Sequence, residues 1–123
     1  MKARILIVED DQIIQLDLLR HLKQLDYAVV GAASSGEEAV AKATQLQPDL
    51  VLMDIRLQGA MDGIEAAHQI QSASQVPVIY LTAQSGEITT GTGGKAVGPR
   101  VTKPFKQTEL QRAIETALHR HEP

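Results

Sequence analysis

Five polar residues stand at the ends of short apolar runs. Glu9 and Asp10 follow Ile5-Leu6-Ile7-Val8, Asp54 comes near the end of Leu50-Val51-Leu52-Met53-Asp54-Ile55, Thr82 follows Val78-Ile79-Tyr80-Leu81, and Lys103 follows residues 99–102. Carboxylates held together repel, which raises their proton affinity unless a cation neutralises them. Hard oxygen ligands in that number suit Mg²⁺, which binds through one or two carboxylates plus a phosphate and keeps several waters. Asp54 then reads as a nucleophile whose carboxylate attacks phosphorus and becomes an acyl phosphate. The metal and the Lys103 ammonium would offset charge on the phosphoryl oxygens, and the Thr82 hydroxyl would donate to one of them.

For these residues to meet, the runs that carry them must be parallel strands with their carboxyl ends on one edge. Apolar runs bounded by turn residues, such as residues 50–55 after Gln47-Pro48-Asp49, read as strands buried on both faces, and such strands belong to parallel sheets. Residues 5–8, 27–33, 77–82 and 99–102 supply four more. Between them lie helical spacings: Ile14, Leu18, Leu22 and Leu25 behind a capping Asp11; Ala39, Val40, Ala43 and Leu46 behind an N-cap serine with Glu37 and Glu38 in the first turn; and Ile64, Ala67 and Ile70. A last helix starts at Thr108, its candidate cap, with Leu110, Ala113, Ile114, Ala117 and Leu118 on one face. Strand and helix alternate, so the expected fold is α/β, a doubly wound five-stranded parallel sheet in a three-layer sandwich. Function in such sheets sits at the carboxyl ends of the strands.

One stretch breaks the pattern. Residues 84–98 hold five glycines, and glycine costs about 1 kcal/mol relative to alanine inside a helix. The expectation is an irregular or disordered segment over residues 86–98 in place of a fourth helix. Compensating frame changes in helix-coding codons would also produce Thr-Gly-Thr-Gly-Gly-Lys at 90–95. That glycine run is no phosphate-binding loop, since Thr89 stands where the pattern needs its first glycine and Ala96 where it needs Ser or Thr.

Composition narrows the function classes. The 123 residues fit one domain, residues 1–123, and carry a net charge of -3 with no basic stripe. One Phe and two Tyr give no platform for bases, so direct nucleic-acid binding is not expected. The absence of cysteine rules out disulfides and thiolate metal sites. No window approaches the roughly 20 apolar residues of a membrane helix, and no signal-peptide core follows Met1, so a cytoplasmic protein is expected. His21, His68, His119 and His121 have no ligand spacing and read as surface residues.

The chain resembles the receiver domain of bacterial two-component response regulators. The matching residues are Ile-Leu-Ile-Val-Glu-Asp-Asp at 5–11, Pro-Asp-Leu-Val-Leu-Met-Asp at 48–54, Met-Asp-Gly at 61–63, Leu-Thr-Ala at 81–83 and Lys-Pro-Phe at 103–105, in the family's order. The resemblance implies a flavodoxin-like sheet of order 2-1-3-4-5 and a phosphoacceptor that is not a turnover enzyme. It implies that Asp54 takes phosphate from a sensor histidine kinase, a phosphotransfer protein or a small phosphodonor. Glu9, Asp10, Asp54 and the backbone carbonyl of Arg56 would hold Mg²⁺, Thr82 would report phosphorylation, and Lys103, before a cis Lys-Pro bond, would pair with the phosphate. A homodimer through the last two helices and the strand between them is a further implication.

Two features depart from the family. The loop after Asp54 lacks Met-Pro and is one residue longer, as in receivers found with cyanobacterial and hybrid sensor kinases. Arg100 stands three residues before the lysine, where the family carries an aromatic residue that swings inward on phosphorylation. Two functions therefore stay open: a phosphoacceptor switch, and a receiver-like interaction module whose relay to output is impaired. A phosphohydrolase is disfavoured, because Arg56 replaces the second acid such enzymes place two residues after the nucleophile.

Overall fold

The computed structural model describes residues 2–82 and 99–120. The elements run β1 (Arg4–Val8), α1 (Gln12–Gln24), β2 (Ala28–Ala33), α2 (Gly36–Leu46), β3 (Leu50–Asp54), α3 (Gly63–Ala73), β4 (Val78–Thr82), β5 (Arg100–Thr102) and α4 (Gln107–Arg120). All five strands are parallel, in the order β2-β1-β3-β4-β5, the order expected. The irregular segment expected over 86–98 lies outside the described residues. Among the described residues no helix is long and apolar enough to cross a membrane.

Strand residues point alternately to the two faces of the sheet, and both faces are covered. Leu6, Val8, Val51, Met53, Val78 and Tyr80 form one core with Ala39 and Ala43 of α2 and with Ile64, Ala67 and Ile70 of α3. Ile5, Ile7, Leu50, Leu52, Ile79 and Leu81 form the other with Leu18 and Leu22 of α1 and with Leu110, Ile114 and Ala117 of α4. Every residue of β3 and β4 is buried, as their uninterrupted apolar runs require.

The helix starts follow local chemistry. Asp11 caps α1, its Oδ1 accepting from the N–H groups of Ile13 at 2.9 Å and Ile14 at 3.3 Å. The Ser35 hydroxyl accepts from the Glu38 N–H at 3.1 Å, while Glu38 Oε1 accepts from the Ser34 N–H at 2.7 Å. Asp62 caps α3 through the Glu65 N–H at 2.9 Å.

Two expectations change. The last helix begins at Gln107, and the Leu110 N–H already donates to the Lys106 carbonyl at 3.0 Å, so Thr108 lies inside the first turn and is not the cap. His21 is not a surface residue. Its side chain is only 20 % exposed, its Nε2 lies 3.5 Å from Asp17, and its Nδ1 lies 2.9 Å from Gln107 Oε1. It ties α1 to the first turn of α4.

Glycine at position 63 is a packing requirement. A Cβ there would lie 2.0 Å from the Asp54 carbonyl oxygen, and the Gly63 N–H donates to the Ile55 carbonyl at 2.9 Å. Both partners are backbone and cannot rotate away. Gly63→Ala should therefore lower the unfolding free energy by at least about 2 kcal/mol in urea titrations. Gly31→Ala, whose Cβ would meet the flexible Leu46 Cδ1 at 2.7 Å, should cost clearly less.

Candidate functional site

Parallel pairing places the carboxyl ends of β1, β3, β4 and β5 on one edge. Val8 lies opposite Met53, Asp54 opposite Leu81, and Thr82 opposite Thr102, so the next residues along each chain converge. Glu9 and Asp54 are buried, at 1 % and 4 % exposure, and Thr82 is buried beside them on β4. Asp10 is half-buried on the loop before α1. Glu9, Asp10 and Asp54 each bring a carboxylate oxygen to within 4.8 Å of the other two.

Lys103 joins this cluster from the end of β5, after its N–H donates to the Thr82 carbonyl at 2.7 Å. Its Nζ lies 2.8 Å from Glu9 Oε1 and 3.4 Å from Asp54 Oδ2. The Lys103-Pro104 bond is cis, as expected. Backbone donors hold the acids in place. The Asp11 N–H donates to Glu9 Oε2 at 3.2 Å, the Arg56 N–H to Asp54 Oδ1 at 3.1 Å, and the Gln58 N–H to Asp10 Oδ2 at 3.3 Å. Arg56 thus runs its main chain past the Asp54 carboxylate while its side chain is exposed. Arg100 is exposed on β5.

The electrostatics follow from burial among like charges. Burial pushes the Glu9 carboxyl up to about 7; the hydrogen bond from Lys103 opposes that rise and nearby Asp54 adds to it. For Lys103 burial acts downward, but its hydrogen bond to Glu9 and the charges of Asp54 and Glu9 outweigh it and raise the pKa. The ammonium is the charge that makes three clustered acids tolerable. Compact and made only of hard oxygen donors, this acid set fits octahedral Mg²⁺, with its bonds of about 2.1 Å.

The sequence profile described as "Response regulator receiver domain" matches residues 5–115. The chain belongs to the response regulator receiver domain family. Receiver domains are regulatory phosphoacceptors of two-component signalling, not turnover enzymes in the ordinary sense, and they bind Mg²⁺ at an acidic pocket. The transcriptional regulatory protein PdtaR of Mycobacterium tuberculosis is 40% identical over 121 residues, 95% of this chain and 57% of that protein. The receiver chain spans about half the length of the curated relatives it matches. Among solved structures, the signal receiver domain of a modulated diguanylate cyclase from Desulfovibrio desulfuricans superposes with a TM-score of 0.84 at 32% identity, covering 98% of this chain and 96% of that one. The receiver domain of a Pseudomonas aeruginosa sensor histidine kinase, with a magnesium ion coordinated in its active site cleft, superposes with a TM-score of 0.83 at 30% identity, covering 97% and 99%.

All five strand-end residues read from the sequence lie at this edge. Sequence reasoning missed how the acids are held: the donors from Asp11 and Gln58, and the approach of Gly63 to the Asp54 main chain. A glycine opening an otherwise well-formed helix was the available signal for the last.

Asp10 supplies charge to the cluster without being deeply buried. In metal-free, low-salt buffer Asp10→Asn should raise the urea midpoint, by a stability gain on the order of 1 kcal/mol that added salt diminishes. The same substitution should remove most of the stabilisation that Mg²⁺ gives the unmodified chain.

Proposed function

We propose that residues 1–123 act as one receiver domain that accepts a phosphoryl group on Asp54 in a Mg²⁺-dependent reaction and so alters a partner surface. The observation that carries this reading is the meeting of Asp54 with Glu9, Asp10 and Lys103, drawn from the ends of three different strands. Asp54 is ready to act as a nucleophile: its carboxylate is held at one oxygen by the Arg56 N–H and faces Lys103 with the other. A carboxylate oxygen of Asp54 forms the new bond to phosphorus, the donor's bond to phosphorus breaks, and the departing group leaves with that electron pair. The product is an aspartyl phosphate.

Glu9, Asp10, Asp54 and the backbone carbonyl of Arg56 would hold Mg²⁺, which supplies positive charge against the phosphoryl oxygens. Lys103 adds an ammonium on the β5 side, and Thr82 offers a hydroxyl from the end of β4. Phosphoryl charge then biases a two-state equilibrium of the surrounding loops, as in other phosphate switches.

The donor is a sensor histidine kinase or a phosphotransfer protein. A protein donor needs a surface beside Asp54 on which to dock, and α1 provides one. Ile13 and Leu16 are 79 % and 63 % exposed. Ile13 also lines a cleft of about 430 Å³, with Ile14, Pro104, Phe105 and Lys103, that leads toward the site. Apolar side chains exposed next to a reactive group support transient protein docking.

Acetyl phosphate with Mg²⁺ should add one phosphoryl mass to the intact protein, read by mass spectrometry. The adduct should vanish in Asp54→Asn and when a chelator removes the metal, and Lys103→Ala should slow its formation by at least about tenfold. Mg²⁺ binding without any adduct would overturn this reading in favour of a module that meets its partners independently of phosphate.

A further inference from the structure

At one edge of the sheet β2 pairs with β1 alone. Its six residues, Ala28–Ala33, include no charge and no proline, the residues that commonly keep such an edge from meeting another chain. Two other features limit main-chain pairing there. The Lys42 ammonium donates to the Ala32 carbonyl, and the register of β1 with β2 skips Val30. What stays open is the side-chain surface that α1 lays along this edge. Asp17 and His21 of α1 face the side of Phe105 and Gln107, and Leu18 and Leu22 are buried in the core. Leu16, Leu19 and Lys23, spaced three and four apart, form the stripe beside β2.

That stripe holds a projecting side chain and a hollow that fits it. Leu16 is 63 % exposed, and it is not among the side chains that line the cleft beside Lys103. Leu19, Arg20, Lys23, Tyr27 and Val29 line a mainly apolar cleft of about 450 Å³. The charges of α1 run from acid to base along its length. It starts behind the exposed Asp11 and ends with Arg20 and Lys23, whose side chains have no hydrogen bond or ion pair among the described residues.

We propose that this edge docks a second copy of the chain, with the two α1 helices antiparallel about a twofold axis beside β2. Each Leu16 enters the cleft of the other copy, and the basic end of each α1 lies against the acidic start of the other. Twofold symmetry makes both contacts twice, and antiparallel helix dipoles add to the match. The surface is separate from the Asp54 site and from the last two helices. It is small, so the dimer is weak and forms with rising concentration.

Sedimentation velocity of the full chain, in low salt without metal or phosphodonor, tests this. The sedimentation coefficient should rise from the monomer value toward the dimer value between roughly 10 μM and 1 mM. Leu16→Glu, whose folding is checked by its urea midpoint, places a charge in the apolar contact and should weaken dimerisation at least about tenfold. Lys23→Glu should weaken it as well, and so should added salt. A chain that stays monomeric at about 1 mM, or a dimer that a folded Leu16→Glu leaves unchanged, would sink the proposal while leaving the reading of Asp54 untouched.

Discussion

Three carboxylates crowded at the edge of an apolar sheet repel one another, and the remainder of the structure is arranged around containing that repulsion. Two of the three are almost fully buried, so water screens them poorly. The containment is distributed. Lys103 supplies a full charge, and the N–H groups of Asp11, Arg56 and Gln58 supply partial ones to Glu9, Asp54 and Asp10 in turn. Asp11 and Arg56 act on acids two residues away, whereas Gln58 and Lys103 come from 48 and 94 positions along the chain and reach their acids only in the folded state. A set of acids so crowded and short of positive charge has the chemistry to hold a hard cation.

The sheet makes this possible by separating support from chemistry. Alternate residues of β1, β3 and β4 are committed to the cores on either face. Only where the strands stop does the chain have positions free of packing duty, and there the polar residues stand. The membership of this chain in the receiver family agrees with that division, as do the superpositions on solved receiver domains.

Much of this was legible in the sequence, for reasons that are physical. Short apolar runs at residues 5–8 and 50–53, bounded by polar and turn residues, read as strands covered on both sides, and an alternation of such runs with helical spacing leaves few topologies. The strand-end residues followed from that topology, with Lys103 the hardest to place because a lone lysine has no distinctive surroundings in sequence. What sequence could not supply were relations across space. His21 carries no mark of its contact with Gln107, 86 positions away. Gly63 looks like any helix-opening glycine until the Asp54 carbonyl is found against it. Thr108 resembled a cap because Ser and Thr often are, yet the chain was already turning at Lys106.

β3 is the middle strand of the sheet, paired on both sides and buried throughout. Amides so placed are expected to exchange with solvent only when the whole molecule opens, and Asp54 stands on that strand. The groups around it do not. Lys103 follows a three-residue edge strand, and Asp10 and Gln58 belong to loops. Any rearrangement around Asp54 is therefore expected at the periphery, where Lys103, Asp10 and Gln58 stand.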